Sequence, residues 1–216
     1  MSVILWDLDD TVLNTLRWRM KALAYAHETL LGTKVDPEAL WRSHRGGTLE
    51  DLGRRLVGDD YREFASVYRE RYFGSARDIR PYAGVEPVLR SFRAAGFDMG
   101  IVTSKVAWGA TEELASAAIL QYFHTIVGFD DTDNHKPDPE PIYAALDRML
   151  ADDPSAAVYI GDSPADIWAA RNAGIRSIAA LWGTLDAGLL LDAMPDFTAE
   201  SPGEVLAILS GEAFGR

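Results

Sequence analysis

The chain has 216 residues, 48% hydrophobic and 25% charged, which suits a soluble globular protein built as one large domain or as a core with a modest insertion. A formal net charge of -12 argues against nucleic acid and against an anionic membrane surface, since both require a basic footprint. With no cysteine, disulfides, thiolate chemistry and cysteine-ligated zinc are excluded, and a cytoplasmic location is expected.

In chain order, Val3 to Trp6 is a short apolar run stopped by carboxylates, and it reads as a buried strand. It is too short for a signal peptide, and no segment has the length and apolarity of a bilayer span. From about Asn14 to Phe73 the pattern turns helical, with Leu23, Ala26, Leu30 and Leu31 at helical spacing and breaks at Gly32, Asp36-Pro37 and Gly46-Gly47. This stretch reads as an all-helical insertion. Beyond Pro81, helices are expected over 85–95, 111–119, 141–150 and 165–173, and strands over 97–103, 125–128, 157–160 and 177–181. Ser201 with Glu204 predicts a capping box for a last helix. Alternation of this kind implies βα units on a mostly parallel sheet, an α/β fold with a Rossmann-like core. In such sheets functional groups gather beyond the carboxyl ends of the strands.

Polar residues stand where the strands should stop. The first end carries Asp7, Asp9, Asp10 and Thr11, and the second Thr103, Ser104 and Lys105. A later loop gives His135-Lys136-Pro137, and the next strand end gives Gly161-Asp162-Ser163 followed by Asp166. Asp7, Asp9, Asp162 and Asp166 in one crevice would repel one another. A hard divalent cation relieves that repulsion, and magnesium suits an acidic site that also receives phosphate. Lys136, Thr103 and the backbone amides after Thr103 complete a receptor for a transferring phosphoryl group. Phosphomonoester hydrolysis needs accelerations up to roughly 10²¹. A covalent route splits that barrier into two smaller ones. One Asp attacks phosphorus, and a second moves the proton.

These residues, in this order, resemble the haloacid dehalogenase superfamily. The segments are Trp6-Asp7-Leu8-Asp9-Asp10-Thr11, Ile101-Val102-Thr103-Ser104-Lys105, Lys136-Pro137-Asp138-Pro139 and Gly161-Asp162-Ser163-Pro164-Ala165-Asp166. The nearest look is to phosphoglycolate-phosphatase-like members, whose helical cap follows the first motif. The resemblance implies a core of residues 1–13 and 81–216 and a cap of 14–80, opening and closing about hinges near Asn14 and Arg80-Pro81. It implies that Asp7 is the nucleophile and Asp9 the general acid and base. Asp7, the Asp9 carbonyl and Asp162 would hold magnesium, with Asp166 supporting them directly or through water. Thr103, Ser104 and Lys136 would bind the phosphoryl group, and Arg45 would lie on a cap specificity loop. The expected partner is a small phosphorylated metabolite.

Asp9 favours phosphate over halide chemistry, because a leaving alkoxide needs a proton and a halide does not. Asp10 stands where many relatives carry Gly, and its role is open. Lys105 and Asp138 read as supporting or surface groups. A sugar-phosphate mutase uses the same motifs. A phospho-accepting receiver module fits less well, since it has neither the helical insertion nor a counterpart of Gly161 to Asp166.

Overall fold

The computed structural model describes residues 3–44, 48–75, 78–151 and 153–211. The chain forms two compact units, one of residues 1–14 and 79–216 and the other of 15–78.

The larger unit is built on six parallel strands: β1 (Val3–Trp6), β2 (Asp98–Val102), β3 (Thr125–Val127), β4 (Val158–Gly161), β5 (Arg176–Ala180) and β6 (Phe197–Ala199). Their spatial order is β3-β2-β1-β4-β5-β6. All five pairings are parallel, with Leu5 opposite Gly100 on one side and Tyr159 on the other. The chain lays down β1, β2 and β3 outward, then crosses back to place β4 on the other flank of β1. The gap between β1 and β4 is therefore the topological switch point, where open α/β sheets receive their ligands.

Both faces of the sheet are covered, which is why its central strands are continuous apolar runs. Ile4, Trp6, Met99, Ile101, Val158 and Ile160 face one layer, made by α5 (Val85–Ala94), α6 (Ala107–Ser116) and α10 (Pro202–Ser210). Val3, Leu5, Val102 and Tyr159 face the other, made by α7 (Glu140–Arg148) and α8 (Pro164–Ala173). A short helix α9 (Ala187–Asp192) lies between β5 and β6 and packs Leu190 onto Ile167 and Ala179.

The smaller unit holds α1 (Leu16–Leu31), α2 (Pro37–His44), α3 (Leu49–Val57) and α4 (Tyr61–Gly74). Leu23, Ala26, Leu40, Leu52 and Phe64 form its own core. Gly32 closes α1 in the left-handed conformation, its N–H bonded to the Glu28 carbonyl. Thr48 caps α3 and exchanges bonds with Asp51. Arg17 and Lys21 lie over the Trp18 ring, and Arg19 lies over Trp41.

Three details depart from the expected elements. The helix expected from Thr111 starts at Ala107, because the buried Gly109 sits within the helix instead of breaking it. The strand β6 and the helix α9 are new; at three and six residues they are too short for a period to show. The last helix begins without the expected capping box. Glu204 reaches past the Ser201 amide to accept from the Glu200 N–H at 2.9 Å, and Ser201 donates its hydroxyl to Glu204 at 3.3 Å. Among the described residues, no helix is long and apolar enough to cross a membrane.

Candidate active site

Asp7 follows the last residue of β1. Its N–H bonds to the Ile160 carbonyl at 2.8 Å, so its backbone continues the β1–β4 ladder and projects its carboxylate at the switch point. The side chain is 8% exposed. Lys136 stands against it, with Nζ 2.6 Å from Asp7 Oδ1 and 2.5 Å from Asp166 Oδ1. The same ammonium donates to the Tyr159 hydroxyl at 3.0 Å, and that hydroxyl donates to the Val102 carbonyl at 2.7 Å. Residues from the ends of β1, β2 and β4 and from the Lys136 loop therefore converge on one buried cation. Asn172 of α8 holds that loop in place by donating to the Pro137 carbonyl at 2.9 Å.

Asp166 is fixed from both sides. Its Oδ2 accepts the Ser163 N–H at 3.0 Å and the Ser163 hydroxyl at 2.6 Å, so the residue also secures the start of α8. Gly161 makes room for it. A Cβ on Gly161 would lie 2.4 Å from both Cβ and Cγ of Asp166. The glycine of Gly161-Asp162-Ser163 thus allows the close approach of Asp166. Asp162 accepts the Thr11 hydroxyl at 3.0 Å, tying the fourth segment to the first.

Asp10 has φ +69°, in the left-handed region that glycine enters freely and that Asp tolerates better than most residues. The residue is buried, its N–H bonded to the Leu13 carbonyl at 2.7 Å. Gly183 presses on its carbonyl, leaving a Cβ only 1.5 Å from that oxygen. Beside it, the Trp182 indole donates to the Thr11 carbonyl at 2.9 Å.

Thr103 is buried at the end of β2, with its N–H bonded to Val127 and its hydroxyl oxygen accepting the Lys105 N–H at 3.2 Å. Ser104 is exposed at the same end. Lys105 is not a surface group. Its side chain is 8% exposed, and Nζ donates to Asp9 Oδ1 at 2.7 Å and to the buried Glu113. Nothing local in the sequence flags this, because Asp9 lies 96 residues away. Asp138 turns away, accepting the Glu140 N–H. Arg45 lies outside the described residues.

The electrostatics follow from this packing. Burial pushes the Asp7 carboxyl up to about 7 despite the opposing pull of Lys136. Burial also works against charge on Lys136, but the Asp166 and Asp7 carboxylates outweigh it and hold the ammonium well above its ordinary range. Carboxylate oxygens of Asp7, Asp162 and Asp166 come within 4.8 Å of one another, so these three could hold a metal ion. An all-oxygen donor set with three acids against one lysine fits a hard divalent cation, which would balance the excess negative charge.

Fold and site together define an α/β enzyme with its acids and its lysine gathered at a topological switch point. The family of haloacid dehalogenase-like hydrolases matches residues 4–180. The pyrophosphatase PpaX of Bacillus velezensis is 30% identical over 216 residues, covering 96% of each protein. The phosphoglycolate phosphatase of Aquifex aeolicus is 29% identical, with 97% of each covered. Among solved structures, a haloacid dehalogenase-like family hydrolase from Streptococcus pneumoniae has a TM-score of 0.84 at 25% identity, covering 97% of this chain and 99% of that one. The chain belongs to the haloacid dehalogenase-like hydrolases and is an enzyme of their phosphatase kind.

Proposed function

We propose that the chain is a magnesium-dependent phosphatase that hydrolyses a small phosphomonoester through an aspartyl phosphate on Asp7. The observation that carries this reading is the buried contact of Lys136 with both Asp7 and Asp166 at the β1–β4 gap. A carboxylate held there, beside a fixed ammonium and a ring of polar strand ends, suits attack on phosphorus. Asp7, Asp162 and the Asp9 carbonyl would hold the ion, with Asp166 as the third carboxylate of the cluster. When bound, magnesium offsets charge on the phosphoryl oxygens and favours the ionised form of Asp7.

The chain's own residues perform the rest. An Asp7 oxygen forms a bond to phosphorus as the bond to the ester oxygen breaks. Asp9 gives its proton to that leaving oxygen, and an alcohol departs. The Asp9 carboxylate then takes a proton from water, whose oxygen attacks phosphorus and releases phosphate from Asp7. Lys136 neutralises the phosphoryl oxygens, and the Thr103 hydroxyl and the Ser104 amide bind them. Relatives named pyrophosphatase PpaX and phosphoglycolate phosphatase make pyrophosphate and phosphoglycolate the first substrates to try.

The direct test is phosphate release from an aryl phosphate with and without magnesium, for wild type and Asp7→Asn. Release should need magnesium and should fall by about 10⁴-fold or more in the variant, as for loss of a covalent nucleophile. Magnesium-independent turnover, or a fully active variant, would sink the proposal.

A further inference from the structure

Asp9 has a partner that the phosphatase mechanism does not use. Lys105 lies two residues beyond Thr103, and its Nζ donates to Asp9 Oδ1 at 2.7 Å and to Glu113 on α6. Both lysine and glutamate are nearly out of solvent, with side-chain exposures of 8% and 3%. The backbone that carries Lys105 is itself fixed. Its carbonyl accepts the Phe129 N–H at 2.8 Å, and the Ala107 N–H two residues on is held by Asp130 at 2.7 Å.

A buried ion pair adds little net stability, since the cost of desolvating the charges cancels much of their attraction. Its geometric effect is larger. An Asp side chain has two soft torsions, and proton transfer requires its carboxyl within about 3 Å of the leaving oxygen. A lysine anchored by a second acid restricts both torsions. Glu113 lets Lys105 stand at a fixed point instead of following Asp9.

We propose that Lys105, seated on Glu113, is the positioning residue that orients the Asp9 carboxyl for proton transfer, holding Oδ1 while Oδ2 carries the proton. This rests on the phosphatase reading and adds to it a link from the β2 end and α6 to the proton-transfer group. Lys105 acts through Asp9 and does not bind the phosphoryl group.

The test separates the step that needs an acid from the step that does not. Nitrophenyl phosphate has a leaving group good enough to depart unprotonated, whereas an alkyl phosphate requires Asp9. Wild type, Asp9→Asn, Lys105→Met and Lys105→Met/Glu113→Gln are compared in the first, phosphoenzyme-forming turnover on each substrate. The double variant removes the glutamate charge that Lys105→Met would leave buried without its lysine, so a folding failure of the single variant does not stop the test.

In both Lys105 variants the alkyl reaction should slow by about 10- to 100-fold, the scale set by a misplaced catalytic group. The loss on nitrophenyl phosphate should be at least about tenfold smaller, the same split expected of Asp9→Asn. Lys105→Arg, which keeps the charge, should recover part of the alkyl rate. Equal slowing on both substrates, or a raised KM with kcat retained, would overturn the proposal, the second result marking a direct substrate contact. If wild type gives no magnesium-dependent turnover, or Asp7→Asn retains it, the phosphatase reading fails instead.

Discussion

At the residue scale the site is a contest between burial and charge, and Asp7 shows it best. Burial carries its carboxyl from 3.8 to about 7, against the pull of Lys136. Raised in the folded state, this group contributes stability that is fully present below about pH 4 and is lost as pH rises towards 7 in the metal-free protein. A divalent cation favours the carboxylate, so binding displaces a proton. Magnesium affinity measured by calorimetric titration should therefore be about tenfold weaker at pH 6 than at pH 8 and should level off above 7. Equal affinities across that range would contradict the assignment. Asp7 and Asp162 were legible in the sequence because each follows an apolar run, and Lys136 and Asp166 through the motifs they belong to. The conformation of Asp10 was half legible: its departure from Gly could be seen, but not the positive φ that gives the departure its meaning. Lys105 read as a supporting or surface group, and its burial was illegible, since that depends on partners that the fold brings from other elements.

At the scale of elements, strands ending in polar residues located the site before any side chain was placed. The alternation after Pro81 predicted a parallel sheet, and parallel sheets put chemistry at their carboxyl ends. What escaped was short or contextual. β6 has three residues, and α6 begins before a glycine that pattern reading takes as a break. The segment after β5 also bears on the site: Trp182 and Gly183 lie against the loop that carries Asp9 and Asp10. With 1.5 Å between a would-be Cβ and the Asp10 carbonyl, Gly183→Ala must move one backbone against the other. We expect a loss of about 1–3 kcal/mol in denaturant unfolding and a kcat lowered by about tenfold or more as Asp9 shifts. A variant with unchanged midpoint and unchanged kcat would show that this contact does not set the loop.

At the scale of the whole molecule, the sheet unit is completed by two separate stretches of sequence. They meet within that unit: the Asn14 N–H bonds to the Arg80 carbonyl at 2.9 Å, and Leu13 bridges Pro81. A short Gly/Ser linker replacing residues 15–78 should therefore close without strain. The shortened protein should keep an α/β circular dichroism spectrum and unfold cooperatively. A chain that unfolds without a transition would mean that the sheet unit needs the helical one to fold. The central claim is that Asp7 takes the phosphoryl group. It is tested by quenching the enzyme in acid during turnover with magnesium and substrate, then weighing its peptides. One added phosphoryl group is predicted on the peptide containing Asp7, and none in Asp7→Asn. A phosphoryl group on another residue, or none during active turnover by wild type, would contradict the claim.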